Sequence, residues 1–393
     1  MRIYRRFTER LKKVNPSSTL AVTIKAKKLK SEGKDIINFA AGEPDFDTPD
    51  FIKAAAIEAI NKGFTKYTPT TGIPELKKLI CDKLKKDNSL DYQPNQIVVS
   101  CGAKHSIFNA LFALVAKGDE VLIPTPYWVS YPEMAVLCDG TARFIKTAPK
   151  NNFKITIGDL ERCINSKTRV LILNSPANPT GAVYDLDELN HIAKLCVRKK
   201  IFVISDEIYE KIIYDNLKHI SIASLGKDIY NLTLTVNGLS KSFSMTGWRI
   251  GYLAGPDDIV EAISKLQDHS TSNPTSISQK AAVAALGAAD DFSKNMCREF
   301  QKRRDYIIIR LKQIKKINFV TPKGAFYIFC DISKTGLGSL GFADRLLNET
   351  SVAVIPGEGF GRDDYIRISF ATGLEEIKKG MDRIEEWVKK FET

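Results

Sequence analysis

A chain of 393 residues with 44% apolar composition is too long for one small core and far from disordered, so two domains, or one large domain with a satellite, are expected. The net charge of +12 raises nucleic acid as a partner, but lysines interleave with acids throughout (KKLKSEGKD, CDKLKKDN, DRIEEWVKKFE), which predicts a solvated surface and no nucleic-acid role. Seven scattered cysteines without a CxxC pair read as buried free thiols of a reducing cytoplasm, four isolated histidines argue against a His-built metal site, and no apolar run approaches the ~20 residues of a membrane span.

The opening MRIYRRFTERLKK lacks an apolar leader core, and Ile3, Phe7, Leu11 and Val14 recur at helical spacing. This predicts a first helix with one docked face rather than a cleaved presequence. FAAGEPDFDTP, with Ala41 and Gly42, follows as a loop able to close over a ligand; a plain Gly-Glu-Pro turn is the bland reading. Through the middle, QIVVS, EVLIPTP, RVLILNSP, IFVISDEIY, LTLTVNG and RIGYLAG are short apolar runs separated in several places by helical periodicity. That pattern predicts an α/β domain with a mostly parallel sheet, whose ligands sit outside the carboxyl ends of the strands.

The chemistry-bearing residues follow those runs. In SCGAKHS, Gly102 permits close backbone approach, and the amides of Ala103 and Lys104 open a helix N-terminus suited to phosphate. Trp128, just past a strand end, offers a flat face for an aromatic ring, or simply fills a core. NSPANPTGA holds Asn178 in rigid, irregular backbone, where its amide can donate to a ring oxygen; alone it reads as an Asx-Pro turn. In SDEIYE, a buried Asp206 needs a positive partner such as a pyridinium N–H, and Tyr209 can bond the ring oxygen; an acidic helix cap is the alternative. NGLSKSFSMTGWRIGY places Lys241 in a Gly/Ser turn between two strand-like runs. A lysine with a pKa near 10.4 is a poor nucleophile, but held as a Schiff base to an aldehyde cofactor it exchanges with a substrate amine and then serves as a base. Ser240 and Arg249 beside it suit a phosphate dianion.

After about residue 290 the character changes: a long polar helix leads into FVTPKGAFYIFCDI, SVAVIPGEGF, YIRISFAT and a charged terminal helix, an α+β unit. Arg367, inside the alternating strand YIRISFAT, calls for an anionic partner such as a substrate carboxylate.

Together, in this order and at these spacings, the segments from NPSSTLAVT to YIRISFAT resemble the class I/II aminotransferases of pyridoxal-phosphate fold type I, nearest the bacterial aspartate/prephenate aminotransferase branch. SKSFSMTGWRIGY is the most specific of them. The resemblance implies a three-layer αβα large domain with a mostly parallel sheet (residues 49–289), and a smaller discontinuous α+β domain built from the N-terminal arm and segment (1–48) and the C-terminal part (290–393). It implies pyridoxal 5'-phosphate as cofactor, with Lys241 as Schiff-base lysine and proton shuttle and Asp206 on the pyridine nitrogen. Tyr209 and Asn178 would contact the ring hydroxyl, and Trp128 would stack on the ring. Ala103, Lys104, Ser240 and Arg249 fall in the phosphate segments. Tyr67, in KYTPTTGIPEL, would reach the phosphate of a neighbouring subunit, implying a homodimer with shared sites. Gly42, Asn178 and Arg367 would hold the α-carboxylate.

One departure bears on substrate. The stretch KLQDHSTSNPTS lacks the arginine that some aspartate aminotransferases use for the distal carboxylate, and the branch resembled here assigns that task to positions matching Lys104 and Thr19. The implied reaction is transfer of the amino group of aspartate (or glutamate) to a 2-oxo acid by a ping-pong mechanism. Prephenate or aromatic aminotransfer stays open, as does a lyase or aminocyclopropane-forming reaction on the same cofactor.

Overall fold

A computed structural model describes residues 8–16 and 18–391, with residues 18–21 as backbone only. In chain order its strands are β1 (Ile37–Asn38), β2 (Ile97–Ser100), β3 (Glu120–Thr125), β4 (Thr141–Lys146), β5 (Thr168–Asn174), β6 (Phe202–Asp206) and β7 (Thr233–Gly238). They continue as β8 (Gly251–Ala254), β9 (Asn318–Phe319), β10 (Tyr327–Asp331), β11 (Val352–Ala353), β12 (Ile355–Pro356) and β13 (Tyr365–Ser369).

Seven strands form the large sheet, in the order β2-β8-β7-β6-β5-β3-β4. All pairs are parallel except those made by β8, which runs antiparallel to both β2 and β7. The apolar runs are continuous because both faces of this sheet are covered. In β5, Val170 and Ile172 pack into one core with helices Ala103–Leu114 and Asp257–Asp268, while Leu171 and Leu173 pack into another with helix Leu186–Lys199. Helix Leu186–Lys199 shows local sequence and tertiary demand agreeing. Asp185 caps it by accepting from Glu188 N–H, its buried stripe is Leu189, Ile192, Ala193, Leu195 and Cys196, and Lys200 ends it at φ 54°.

The C-terminal strands make a four-stranded antiparallel sheet, β12-β13-β10-β9, packed on helices Asp291–Leu311, Ser339–Thr350 and Leu374–Val388. β1, from the N-terminal segment, pairs in parallel with β11, and Lys25 of helix Ser18–Ser31 bonds Asp344 at 2.7 Å. Thus chain preceding residue 48 is joined to chain following residue 290.

All five residues of β13 are buried: Ile366 and Ile368 face the helices, while Arg367 turns to the cavity described below. The N-terminal helix is described over a single turn, Glu9–Lys12, where Leu11 is 51% exposed and the chain is tethered through Arg10–Asp139 and Asn15–Glu133; Ile3 and Phe7, the rest of the expected apolar face, lie outside the described residues. All seven cysteines are free thiols, but only Cys138, Cys196 and Cys330 are buried as expected, Cys81, Cys101, Cys163 and Cys297 being half-buried; among the described residues no helix is long and apolar enough to cross a membrane.

Candidate active site

Because β8 opposes its neighbours, the carboxyl ends of β2, β5, β6 and β7 share one sheet edge with the amino end of β8. A cavity of about 410 Å³ opens there. Ala103 and Lys104 reach it after β2, Trp128 after β3, and Asn174 and Asn178 from and after β5. Asp206 closes β6, Ser240 and Lys241 follow β7, Arg249 precedes β8, and Gly42, Tyr327 and Arg367 come from outside the large sheet. Of the site residues predicted from sequence, Tyr67 is 91% exposed and outside the cavity, and the side chain of Thr19 lies outside the described residues.

Close packing builds the anion end. Gly102 has φ 89°, a left-handed conformation, and a Cβ on it would lie 2.5 Å from the Arg249 guanidinium. Arg249 itself adopts φ 54°, which brings its guanidinium to Cys101 O (3.2 Å) and Thr246 O (3.0 Å). Such backbone in a non-glycine residue is strained, and here it aims a cation at the helix start Ala103–Lys104, whose first N–H groups have no partner within the helix. Burial, reinforced by the Arg249 charge, lowers the pKa of Lys104, whose ammonium lies 4.8 Å from the Trp128 ring centre. Among the described residues neither Lys104 nor Arg249 forms an ion pair, so this end of the cavity is positively charged.

The opposite end is acidic. Asp206 is 4% exposed, and burial pushes its carboxyl up to about 6, against hydrogen bonds from Tyr131 and the Ile208 amide. Asn174 braces the floor: its Nδ2 donates to Asp206 O (2.9 Å) and its Oδ1 accepts from Asn178 N (2.8 Å). The Asn178–Pro179 bond in this segment is cis.

Between the two ends, the Lys241 ammonium donates to Gly42 O at 2.5 Å. Burial brings its pKa down to about 8; Glu43 and Asp206 oppose that shift, while Arg367 and Arg249 add to it. The loop carrying Gly42 is held by Thr246 Oγ1 donating to Glu43 (2.7 Å) and Thr48 Oγ1 donating to Ser244 O (2.7 Å). Arg367 is 3% exposed and donates to Asn178 Oδ1 (3.0 Å) and Ala40 O (3.2 Å), stacked 4.2 Å from the Tyr327 ring centre. Its Nε has no hydrogen-bond partner, and no carboxylate neutralises it among the described residues. A buried guanidinium with a spare donor is a binding point for an anion. Tyr209 Oη and Tyr327 Oη lie 2.8 Å apart, and burial raises both phenols, which remain protonated donors.

A buried carboxylate at one end and a strained arginine with free helix amides at the other fit a group that is cationic at one end and a phosphate dianion at the other. Pyridoxal 5'-phosphate has that charge pattern.

Sequence reasoning missed Tyr131, Asn174, Tyr327, Thr246 and Thr23, all of which line the cavity. Tyr131 was reachable, three residues after Trp128 at a helix start, and Asn174 ends an apolar run. Tyr327 had no local signal, since it enters from the second sheet. Behind β6, Glu207, Glu210 and His219 bring ligating atoms within 4.8 Å of one another, but their oxygens already accept from Ser205, Ser221, Asn88 and Lys83.

Comparison with known proteins agrees with this geometry. The family described as "Aminotransferase class I and II" matches residues 34–384. An aspartate aminotransferase of Bacillus sp. strain YM-2 is 48% identical, covering 97% of this chain and 98% of that one. A probable aspartate/prephenate aminotransferase of Rickettsia conorii is also 48% identical, covering 96% of this chain and 97% of that one. The structure of the aspartate aminotransferase of Thermus thermophilus with maleate superposes with a TM-score of 0.93 at 39% identity, covering 98% of this chain and all of that one.

Proposed function

The chain belongs to the class I and II aminotransferases, and on that premise we propose that it moves the amino group of aspartate, or glutamate, to a 2-oxo acid such as 2-oxoglutarate. The observation that carries this reading is the convergence of Lys241, Asp206, Arg249 and Arg367 on one cavity, with acid and base at opposite ends.

Pyridoxal 5'-phosphate, the cofactor of this family, supplies when bound an aldehyde carbon for amine exchange and a ring that takes up electron density from the substrate α-carbon. Arg249, Ser240 and the Ala103 and Lys104 amides would hold its phosphate, Asp206 would accept from its ring N–H, and Tyr209 and Asn178 would bond its ring hydroxyl. Trp128 covers a face and excludes water. Arg367 and Asn178, with Gly42 beside them, take the substrate α-carboxylate, and the spare Arg367 Nε supports that role. Lys241 Nζ, with its pKa lowered to about 8, gives up its proton near neutrality far more readily than an ordinary lysine and carries the α-proton. Lys104 and Thr19 are the groups proposed for the distal carboxylate, a reading supported by the Thermus thermophilus protein having been solved with maleate, a dicarboxylate.

The family further suggests a cytoplasmic homodimer in which Tyr67, exposed here, completes the neighbour's site, and units spanning 1–48 with 290–393 and 49–289, in keeping with the β1–β11 pairing. A second reading, prephenate as amino acceptor, is favoured by the relatives carrying that double name. Cofactor-loaded protein given aspartate and no acceptor tests both. One equivalent of oxo acid per site is expected; release of ammonia or no product overturns aminotransfer. Prephenate turnover with glutamate makes the enzyme dual-function, and Lys104→Ala loses activity on dicarboxylates selectively if Lys104 reads them.

A further inference from the structure

Tyr131 stands at the start of helix Ser130–Leu137, three residues after Trp128, with its side chain buried. Its Oη donates to Asp206 Oδ2 at 2.5 Å, and its ring meets that of Trp128 edge-on, centres 5.3 Å apart and planes at 81°. Asp206 Oδ1 accepts from the Ile208 amide at 3.3 Å. One carboxylate oxygen is therefore fixed by its own chain and the other by a phenol from a different element.

We propose that Tyr131 is a positioning residue for aminotransfer: its phenol holds the Asp206 carboxylate in one orientation and in its accepting form, so that a ring N–H of the bound cofactor meets an ionised oxygen. The inference rests on the role of Asp206 proposed above. A buried carboxyl relieves its desolvation either by taking a proton or by accepting hydrogen bonds, and Tyr131 supplies the second route. Among the described residues, the titratable groups that act on Asp206 are Tyr131, Tyr209, Glu207 and Lys241. Tyr131 comes from its helix, Tyr209 and Glu207 follow Asp206 in the chain, and Lys241 comes from the turn after β7. Glu207 raises the Asp206 pKa and Lys241 lowers it; both phenols are pushed well above their ordinary range by burial and stay donors. Tyr131 is the strongest of the influences holding the carboxyl ionised, ahead of the Ile208 amide and Lys241. The same ring supports Trp128 edge-on, so one side chain sets both the base beneath the ring nitrogen and the indole expected to stack on that ring.

The test is equilibrium dialysis of pyridoxal 5'-phosphate against cofactor-free protein from acid to alkaline pH, comparing wild type with Tyr131→Phe. Phenylalanine keeps the ring against Trp128 and removes only the donor. Without it Asp206 holds its proton to higher pH, so the acid-side fall in affinity moves up by about one to two pH units. The ratio of affinities should widen to about tenfold or more just above the wild-type midpoint and close to within about threefold in alkali. The cofactor's own phosphate titration cancels in that ratio. Replacement of Tyr131 by 3-fluorotyrosine, a stronger donor, should move the fall in the opposite direction, and it carries the test alone if the phenylalanine variant does not fold. Superimposable curves, or a ratio that is the same at every pH, overturn the proposal. Wild-type protein that binds no cofactor at any pH overturns the reading of the site itself, a result distinct from either.

Discussion

Arg367→Met tests the cavity where binding and stability make opposed demands. Arg367 is buried with a charge that no carboxylate among the described residues neutralises, held by two neutral acceptors and two aromatic faces, Tyr327 at 4.2 Å and Phe360 at 5.2 Å. Removing a partner from a buried, hydrogen-bonded charge pair costs about 2–5 kcal/mol, so kcat/KM for aspartate should fall by roughly 30-fold to several thousand-fold. Stability should respond differently. The substitution relieves an uncompensated desolvation of several kcal/mol but leaves Asn178 Oδ1 and Ala40 O without this donor, at about 1–3 kcal/mol each. These terms nearly cancel, so urea unfolding of the cofactor-free protein should change by no more than about 1 kcal/mol, against the roughly 2–5 kcal/mol of an ordinary core truncation. The assay pairs steady-state kinetics with urea unfolding, and the loss should be confined to amines bearing an α-carboxylate. A variant that keeps kcat/KM within threefold, or that loses activity equally on an amine without that carboxylate, refutes the assignment.

Asp206→Asn should weaken cofactor retention yet stabilise the cofactor-free protein. The folded carboxyl titrates at about 6, above its unfolded value, so its penalty grows as pH rises from about 4 to about 6 and is full beyond, at most about 3 kcal/mol. Unfolding at pH 5 and pH 8 should show the variant's advantage roughly doubling between the two. Lys241 has the complementary signature: its folded pKa of about 8 lies below the unfolded one, so wild-type stability should rise from about pH 8 to about pH 10, a rise that Lys241→Met abolishes in a thermal-melt series. Lys83→Met should destabilise by about 3–5 kcal/mol at neutral pH, because it strips the ammonium from the buried Glu210. Glu210 is brought down to about 2 by Lys83, His219 and Asn88 despite its burial, so its contribution holds above the ordinary carboxylate value and disappears as pH falls from about 4 to about 2. The variant's deficit should shrink over that window, and a deficit constant with pH counts against the pair.

How much of this was legible before the chain folded depends on the range of each signal. Short apolar runs ending in SDEIYE and LTLTVNGLSK announce parallel strands covered on both faces, and they put Asp206 and Lys241 at strand ends, because period and burial are properties of a few neighbouring residues. Gly102 and the Ala103–Lys104 helix start were readable for the same reason. Tyr131 was within local reach, at the helical spacing from Trp128, but nothing local said that its phenol would find Asp206, which is 75 residues on. Residue types and spacing thus determined the fold class and the chemistry available. Only the tertiary structure decided that β8 runs against its neighbours and carries Arg249 back beside the Ala103–Lys104 helix start, that Tyr327 enters from the second sheet, and that Arg367 is buried with a donor to spare. The physical reason is that desolvation and charge pairing belong to the whole packed chain: a carboxyl at about 6 and a lysine at about 8 arise from what surrounds them after folding, not from their neighbours in sequence.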